Sequence, residues 1–211
     1  MFVNNWKNFF CDKYNIVVLI VTTIAFTIIT IAYTEFLQYN EIREGYLFYD
    51  PLLNALPIYD LTFVIFITLY TMSILYGISV LNKPEKVIIF FQVYGILIII
   101  RIISMYLIPL EPPNGIITLI DPFAESFLEG NVLKKDLFFS GHTMTIFTFY
   151  FLTQNKILKK LFLTSSIIIA VSLLIQHVHY SIDVIGAIIA AYISVMMQKT
   201  LCPFINHRHK V

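Results

Sequence analysis

Six apolar stretches separated by short polar connections order this chain: Ile16–Thr34, Leu61–Leu81, Val87–Ile108, Leu137–Thr153, Leu161–Val178 and Ile182–Gln198. A helix that crosses a bilayer needs roughly 20 mostly apolar residues, and the pattern predicts six such spans. The fourth is the shortest. Pro109, Pro112 and Pro113 close the third, because proline has no N–H to continue the helical hydrogen-bond ladder. The fold predicted is an all-α integral membrane protein, one domain over residues 1–211, without internal repeats, low-complexity tracts or Gly/Ser linkers.

Composition strengthens the membrane assignment. Hydrophobic residues make up 58% of the chain and charged residues 13%, against about 25% charged in soluble domains. Mean hydropathy is +0.81. The first apolar stretch begins after about fifteen residues and lacks a small-residue cleavage site, so it reads as a retained anchor rather than a signal peptide. A net charge of +1, with no basic patch interleaved with aromatics, gives no reason to expect a nucleic-acid partner. Cys11 and Cys202 lie near opposite ends without metal-ligand spacing and read as free thiols.

Lysine and arginine in short loops set orientation. With the N-terminus in the cytoplasm, Lys7, Lys13, Lys83, Lys86, Lys156, Lys159, Lys160, Lys199, Arg208 and Lys210 fall inside. Only Arg43, Lys134 and Lys135 fall outside, while Arg101 lies within the third span. Both termini are therefore expected inside. The same map places Asp60, Arg101, the Ser140-Gly141-His142 start of the fourth span and the His179–Asp183 turn on the outer side. Four polar features found separately share one side of the membrane, which predicts a site there.

The chemistry of these residues is specific enough to describe. At i,i+4 on a helix, Asp183 stands beside His179, and a carboxylate on one ring nitrogen leaves the other basic and aimed. The plainer reading is an interfacial histidine and a helix-capping aspartate. Ser140 can cap a helix, Gly141 lets backbone approach a ligand, and the free N–H groups beyond attract an anion, with His142 beside it as general acid. The plainer reading is an ordinary Ser-capped helix start. Arg101 within a span costs at least ~2.5 kcal/mol and marks a functional position unless it snorkels. His177 with His179, His142 and an aspartate offers zinc-type ligands, but i,i+2 residues face different ways on a helix, so a metal would need an irregular turn. No metal or cofactor is expected. The outer loops add Tyr46, Phe48, Tyr49 and Tyr59 with Glu41, Glu44, Asp50, Glu125, Glu129 and Asp136. They read as an interfacial belt or as a cationic headgroup's surroundings.

Taken together, KDLFFSGHTMTIFTF and HVHYSIDVIGAIIAAY resemble the two catalytic motifs of the sphingomyelin synthase family, a branch of the type 2 phosphatidic acid phosphatase superfamily. RIISMYLIPLEPPNG is similar to the family's arginine-bearing motif, and ALPIYDLTF, with Asp60, to its proline-rich approach to the second span. The resemblance runs from residue 57 to 192 and includes Asp136, four residues before Ser140. It implies a six-span enzyme with its site at the outer leaflet. His179 would attack phosphorus, Asp183 would orient it, and His142 would protonate the departing diacylglycerol oxygen. Arg101, Ser140 and Gly141 would hold the phosphate, with Asp136, Asp60 and His177 in support. Membrane lipids would be the partners, a phospholipid donor and a ceramide-like acceptor. The membrane would be a plasma or inner membrane, or the Golgi with the site facing its lumen.

Departures from the lipid phosphatase pattern sharpen the choice. Phe139 replaces the proline before Ser-Gly-His, Leu173 stands where a second arginine belongs, and Tyr94 stands where a lysine belongs. A phosphomonoester is nearly a dianion and calls for several cations, whereas a diester carries one negative charge that an arginine and a helix N-terminus can hold. Headgroup transfer is therefore expected over phosphate release. A lipid phosphate phosphatase is the alternative. A zinc hydrolase of the ceramidase kind and a channel or transporter bundle are more distant. The last would distribute polar residues through the midplane rather than at one edge.

Overall fold

The computed structural model describes residues 2–120 and 133–202. Eight helices follow in order: α1 (Phe2–Phe10), α2 (Lys13–Ile42), α3 (Pro51–Ala55), α4 (Thr62–Val80), α5 (Pro84–Leu107), α6 (Gly141–Leu152), α7 (Lys156–Ile175) and α8 (Ser181–Leu201). No strand forms among the described residues beyond an isolated parallel bridge between Tyr46 and Leu110. Glu125, Glu129, Arg208 and Lys210 lie outside the described residues.

Among the described residues five helices, α2, α4, α5, α7 and α8, are long and apolar enough to cross a membrane. The fourth predicted span is corrected. Its helix starts at Gly141, not Leu137, and holds 12 residues, about 18 Å at the α-helical rise, well short of a ~30 Å hydrocarbon core. The start is set by Ser140, whose side chain accepts the Thr143 N–H and whose own N–H donates to the Asp183 carbonyl. A cap thus overrides an apolar run that would have continued the helix. The first span is also longer than predicted, because α2 runs on to Ile42 over 30 residues.

The helices pack chiefly as α2 on α5, α6 against both α7 and α8, α5 on α8, and α4 on α7. Where α8 meets its neighbours it buries Ala187, Ala190, Ala191 and Ser194, small residues that let helix backbones approach closely in a bilayer. Tyr76 and Phe149 stack with ring centroids 4.4 Å apart in a core shared with Ile65, Phe162, Ile169 and Leu173. Hydroxyls within this interior return to their own helices: Thr148 donates to the Met144 carbonyl, Ser166 to Phe162 and Ser194 to Ala190. Val17, Ile24, Ile28 and Ile31 on α2 are more than half exposed, the apolar surface that lipid would cover.

One end of the bundle carries the starts of α4, α6 and α8 and the ends of α2, α5 and α7. A single buried amide ties its loops together. Gln176 accepts the Leu61 N–H and donates to the Thr62 hydroxyl and the Ile117 carbonyl. Its own carbonyl accepts the Ile117 N–H. The opposite end carries most of the lysines, with Lys86 of α5 donating to Gln154 after α6. Trp6 of α1 clips onto the α4–α5 turn there through the Leu81 carbonyl.

Candidate active site

The α7–α8 turn places the second histidine motif. α7 ends with His177 at φ 56°, a left-handed conformation that histidine tolerates better than most residues. The Val178 N–H reaches the Leu173 carbonyl and the His177 N–H reaches Leu174, the paired bonds of a Schellman C-terminus. The chain then reverses into α8, so His179 lies in the turn and not on a helix. This corrects the expected helical i,i+4 face. The contact survives for a different reason: Asp183, in the first turn of α8, reaches back over the helix start. Its Oδ2 accepts the Tyr180 N–H at 3.0 Å and lies 3.2 Å from His179 Nδ1. His179 is 2% exposed and Asp183 0%. Such a carboxylate selects the tautomer with the proton on Nδ1 and leaves a lone pair on Nε2.

The first histidine motif arrives beside it through Ser140, whose N–H donates to the Asp183 carbonyl at 3.2 Å. Gly186 of α8 permits this approach, since a Cβ there would stand 3.3 Å from the Phe139 Cβ. His142 is the second residue of α6, its ring edge-on to Phe66. Gly141 is needed where it stands: a Cβ would fall within 3.2 Å of three guanidinium atoms of Arg101.

Arg101 does not snorkel. It is 4% exposed and forms an ion pair with Asp136, Nη2 to Oδ1 at 2.9 Å. The ring of Tyr33 lies 5.7 Å from the guanidinium carbon, and the Tyr33 hydroxyl donates to the same Asp136 oxygen. Arg101 precedes the end of α5 by six residues, about 9 Å along the axis, so the site is recessed below that rim. Three buried polar atoms around this recess have no hydrogen-bond partner among the described residues: Arg101 Nε, Thr143 Oγ1 and Asp183 Oδ1. A polar ligand held by an arginine at a helix N-terminus would meet groups of this kind.

The remaining predicted residues divide. Asp136 joins the site. Asp60 does not: it is exposed, and its carboxylate accepts the Thr62 N–H at the start of α4, a local cap rather than part of the histidine cluster. His177 faces away from the pair, its Nδ1 3.2 Å from the Asn114 carbonyl. It lines a separate cavity of about 100 Å³ with Asp50 and Tyr180. No group of three metal-type ligands forms among the described residues. At the two positions where the phosphatase pattern places cations, Leu173 is buried in the aromatic core and Tyr94 meets the Thr145 hydroxyl at 2.9 Å.

Two supporting residues, Tyr33 and Glu111, escaped the sequence reading, and a third, Asp50, was read only as one of the outer-loop acids. Tyr33 sits in an apolar helix with nothing to mark it. Asp50 precedes a proline, a legible helix-start signal. Its second oxygen, however, accepts the Ser181 N–H 131 residues away, and that link shows only in three dimensions. Burial works against the Asp50 charge, yet donors from Ser181, Leu53 and Leu52 hold its carboxyl below the usual range. Glu111 accepts from Lys135 and from the Gly45 N–H, and Lys135 holds its carboxyl low. This pair closes the loops over Tyr180, whose hydroxyl donates to the Glu111 carbonyl.

Comparison with known proteins bears on one segment of the chain. No curated protein and no solved structure matches the chain. A family model described as PAP2 superfamily C-terminal matches residues 135–200, the segment that holds Asp136, Ser140, His142, His179 and Asp183. That match covers under a third of the chain and makes this segment similar to the type 2 phosphatidic acid phosphatase superfamily.

Proposed function

We propose that this protein is a lipid headgroup phosphotransferase. It moves a phosphocholine- or phosphoethanolamine-like group from a glycerophospholipid to ceramide or a related lipid alcohol. The observation that carries this reading is the environment of Arg101. One guanidinium lies against the start of α6, its charge partly balanced by Asp136, while Leu173 and Tyr94 fill the positions of the other cations. That supply of positive charge suits a phosphodiester monoanion better than a phosphomonoester near −2.

The chemistry follows from the two histidines. Nε2 of His179 attacks phosphorus, and the P–O bond to diacylglycerol breaks as the P–N bond forms. His142 gives its proton to the departing oxygen, then takes the proton of the acceptor hydroxyl, whose oxygen bonds to phosphorus as the P–N bond breaks and His179 is released. Asp183 holds the His179 imidazole in position throughout. The lysine-rich end belongs in the cytoplasm by the positive-inside rule, so the site faces the outer leaflet.

The test is an incubation of membranes holding the protein with labelled ceramide and a mixture of phosphatidylcholine and phosphatidylethanolamine. A labelled phosphosphingolipid with matching diacylglycerol is expected. No labelled product there, together with inorganic phosphate released in a parallel incubation with phosphatidic acid, would replace this reading with the phosphatase one.

A further inference from the structure

A second concavity lies at the opposite end of the bundle from the histidines. A cavity of about 400 Å³ opens below the C-terminus of α6, and Lys86 of α5, Lys159 of α7 and Lys199 of α8 converge on it. Among the described residues no acidic side chain lines it, and no ion pair engages any of the three ammonium groups. Lys86 meets the Gln154 amide oxygen at 3.4 Å, and Lys159 stands 4.8 Å from the Tyr150 ring centroid.

These are not simply lysines of the positive-inside pattern. Lys83, Lys156 and Lys160 share that end, are exposed, and do not line the cavity, whereas Lys86 and Lys159 are half-buried. Three cations around one carboxylate-free recess repel each other and draw in an anion. Gln198, 1% exposed and anchored to Gln92, supplies a fixed polar wall. Phe151, Leu152 and Val195 supply an apolar one. The combination matches an amphiphile whose phosphate meets the lysines while its glycerol and first methylenes meet the apolar side. We propose that this cavity binds the phosphate of an anionic glycerophospholipid, at a site separate from the catalytic one.

The test measures thermal stabilisation of the purified full chain in nanodiscs. One set holds phosphatidylcholine alone, and another adds increasing phosphatidylglycerol. Wild type and Arg101→Gln should both gain stability with phosphatidylglycerol. Each lysine replaced by glutamine should weaken the half-saturating dependence about fivefold, and the triple variant K86Q/K159Q/K199Q should lose it. A response that survives in the triple variant, or one abolished by Arg101→Gln, overturns the assignment. Equal stabilisation by inorganic phosphate or glycerol phosphate in phosphatidylcholine discs would overturn the lipid as its source in favour of a soluble anion. Should the triple variant fail to fold, Lys199→Gln alters one exposed side chain, and an unchanged response there overturns the proposal as well.

Discussion

The two histidine motifs are built differently, though they meet at one place. His142 rides on the first turn of α6, where the helix backbone fixes its position and Ser140 fixes the helix start. His179 has no helix beneath it. A Schellman turn delivers it, and a buried carboxylate holds it at 3.2 Å. One histidine thus depends on a backbone cap and the other on a side-chain partner. The difference suits a division of labour, since a nucleophile needs one nitrogen basic and aimed, whereas a proton shuttle needs only reach.

The sharpest break in this comparison is His179→Ala, expected to abolish both turnover and any trapped phosphohistidine. Label retained on the His179→Ala protein but absent from His142→Ala would exchange the two roles. Asp183→Asn should follow, with a loss of up to about 10⁴-fold in kcat, because the amide cannot hold the same tautomer; circular dichroism should report an intact helix content. His142→Ala should cost about 10²–10⁴-fold with a natural donor. A donor with a nitrophenolate leaving group needs no protonation, so the burst of its release should be restored in His142→Ala and not in His179→Ala. Gly141→Ala comes next. Its new Cβ would fall 2.3 Å from Arg101 Nη1, forcing the guanidinium aside, and a misplacement near 1 Å costs about 10²-fold. The smallest effect belongs to Asp60→Asn, where a cap on α4 changes and the site does not. Its kcat should match wild type, with an unchanged helix content by circular dichroism.

Much of this arrangement was legible in the sequence, for identifiable reasons. Long apolar runs have one stable solution in a bilayer, so α2, α4, α5, α7 and α8 could be read from hydropathy alone. The histidine motifs were legible because polar residues are costly in such surroundings. Arg101 was marked by its cost, but its partner was not: Asp136 and Tyr33 reach it from elements far away in the chain. The start of α6 was misplaced because hydropathy sees only that Leu137, Phe138 and Phe139 are apolar. It cannot see that Ser140 is tied to the Asp183 carbonyl. The His179–Asp183 contact was drawn on one helix face because i,i+4 spacing also describes a residue just before the cap and a carboxylate reaching back over it. Gln176 carried no signal, as one amide among apolar neighbours does not announce which three loops it will join.

The shortness of α6 works as a gauge. Its first residue is pinned against Arg101 and, through Ser140, against α8; its last leads into Thr153, which borders the lysine-lined cavity. Twelve residues therefore set the spacing between the histidine end of the bundle and the lysine-lined end. One residue inserted after His142 would advance the far half of the helix by about 1.5 Å and turn its side chains by roughly 100°, throwing them out of register with α7 and α8 while leaving the hydropathy profile almost unchanged. Chains of this architecture can therefore drift freely in the apolar identity of α6 but not in its length.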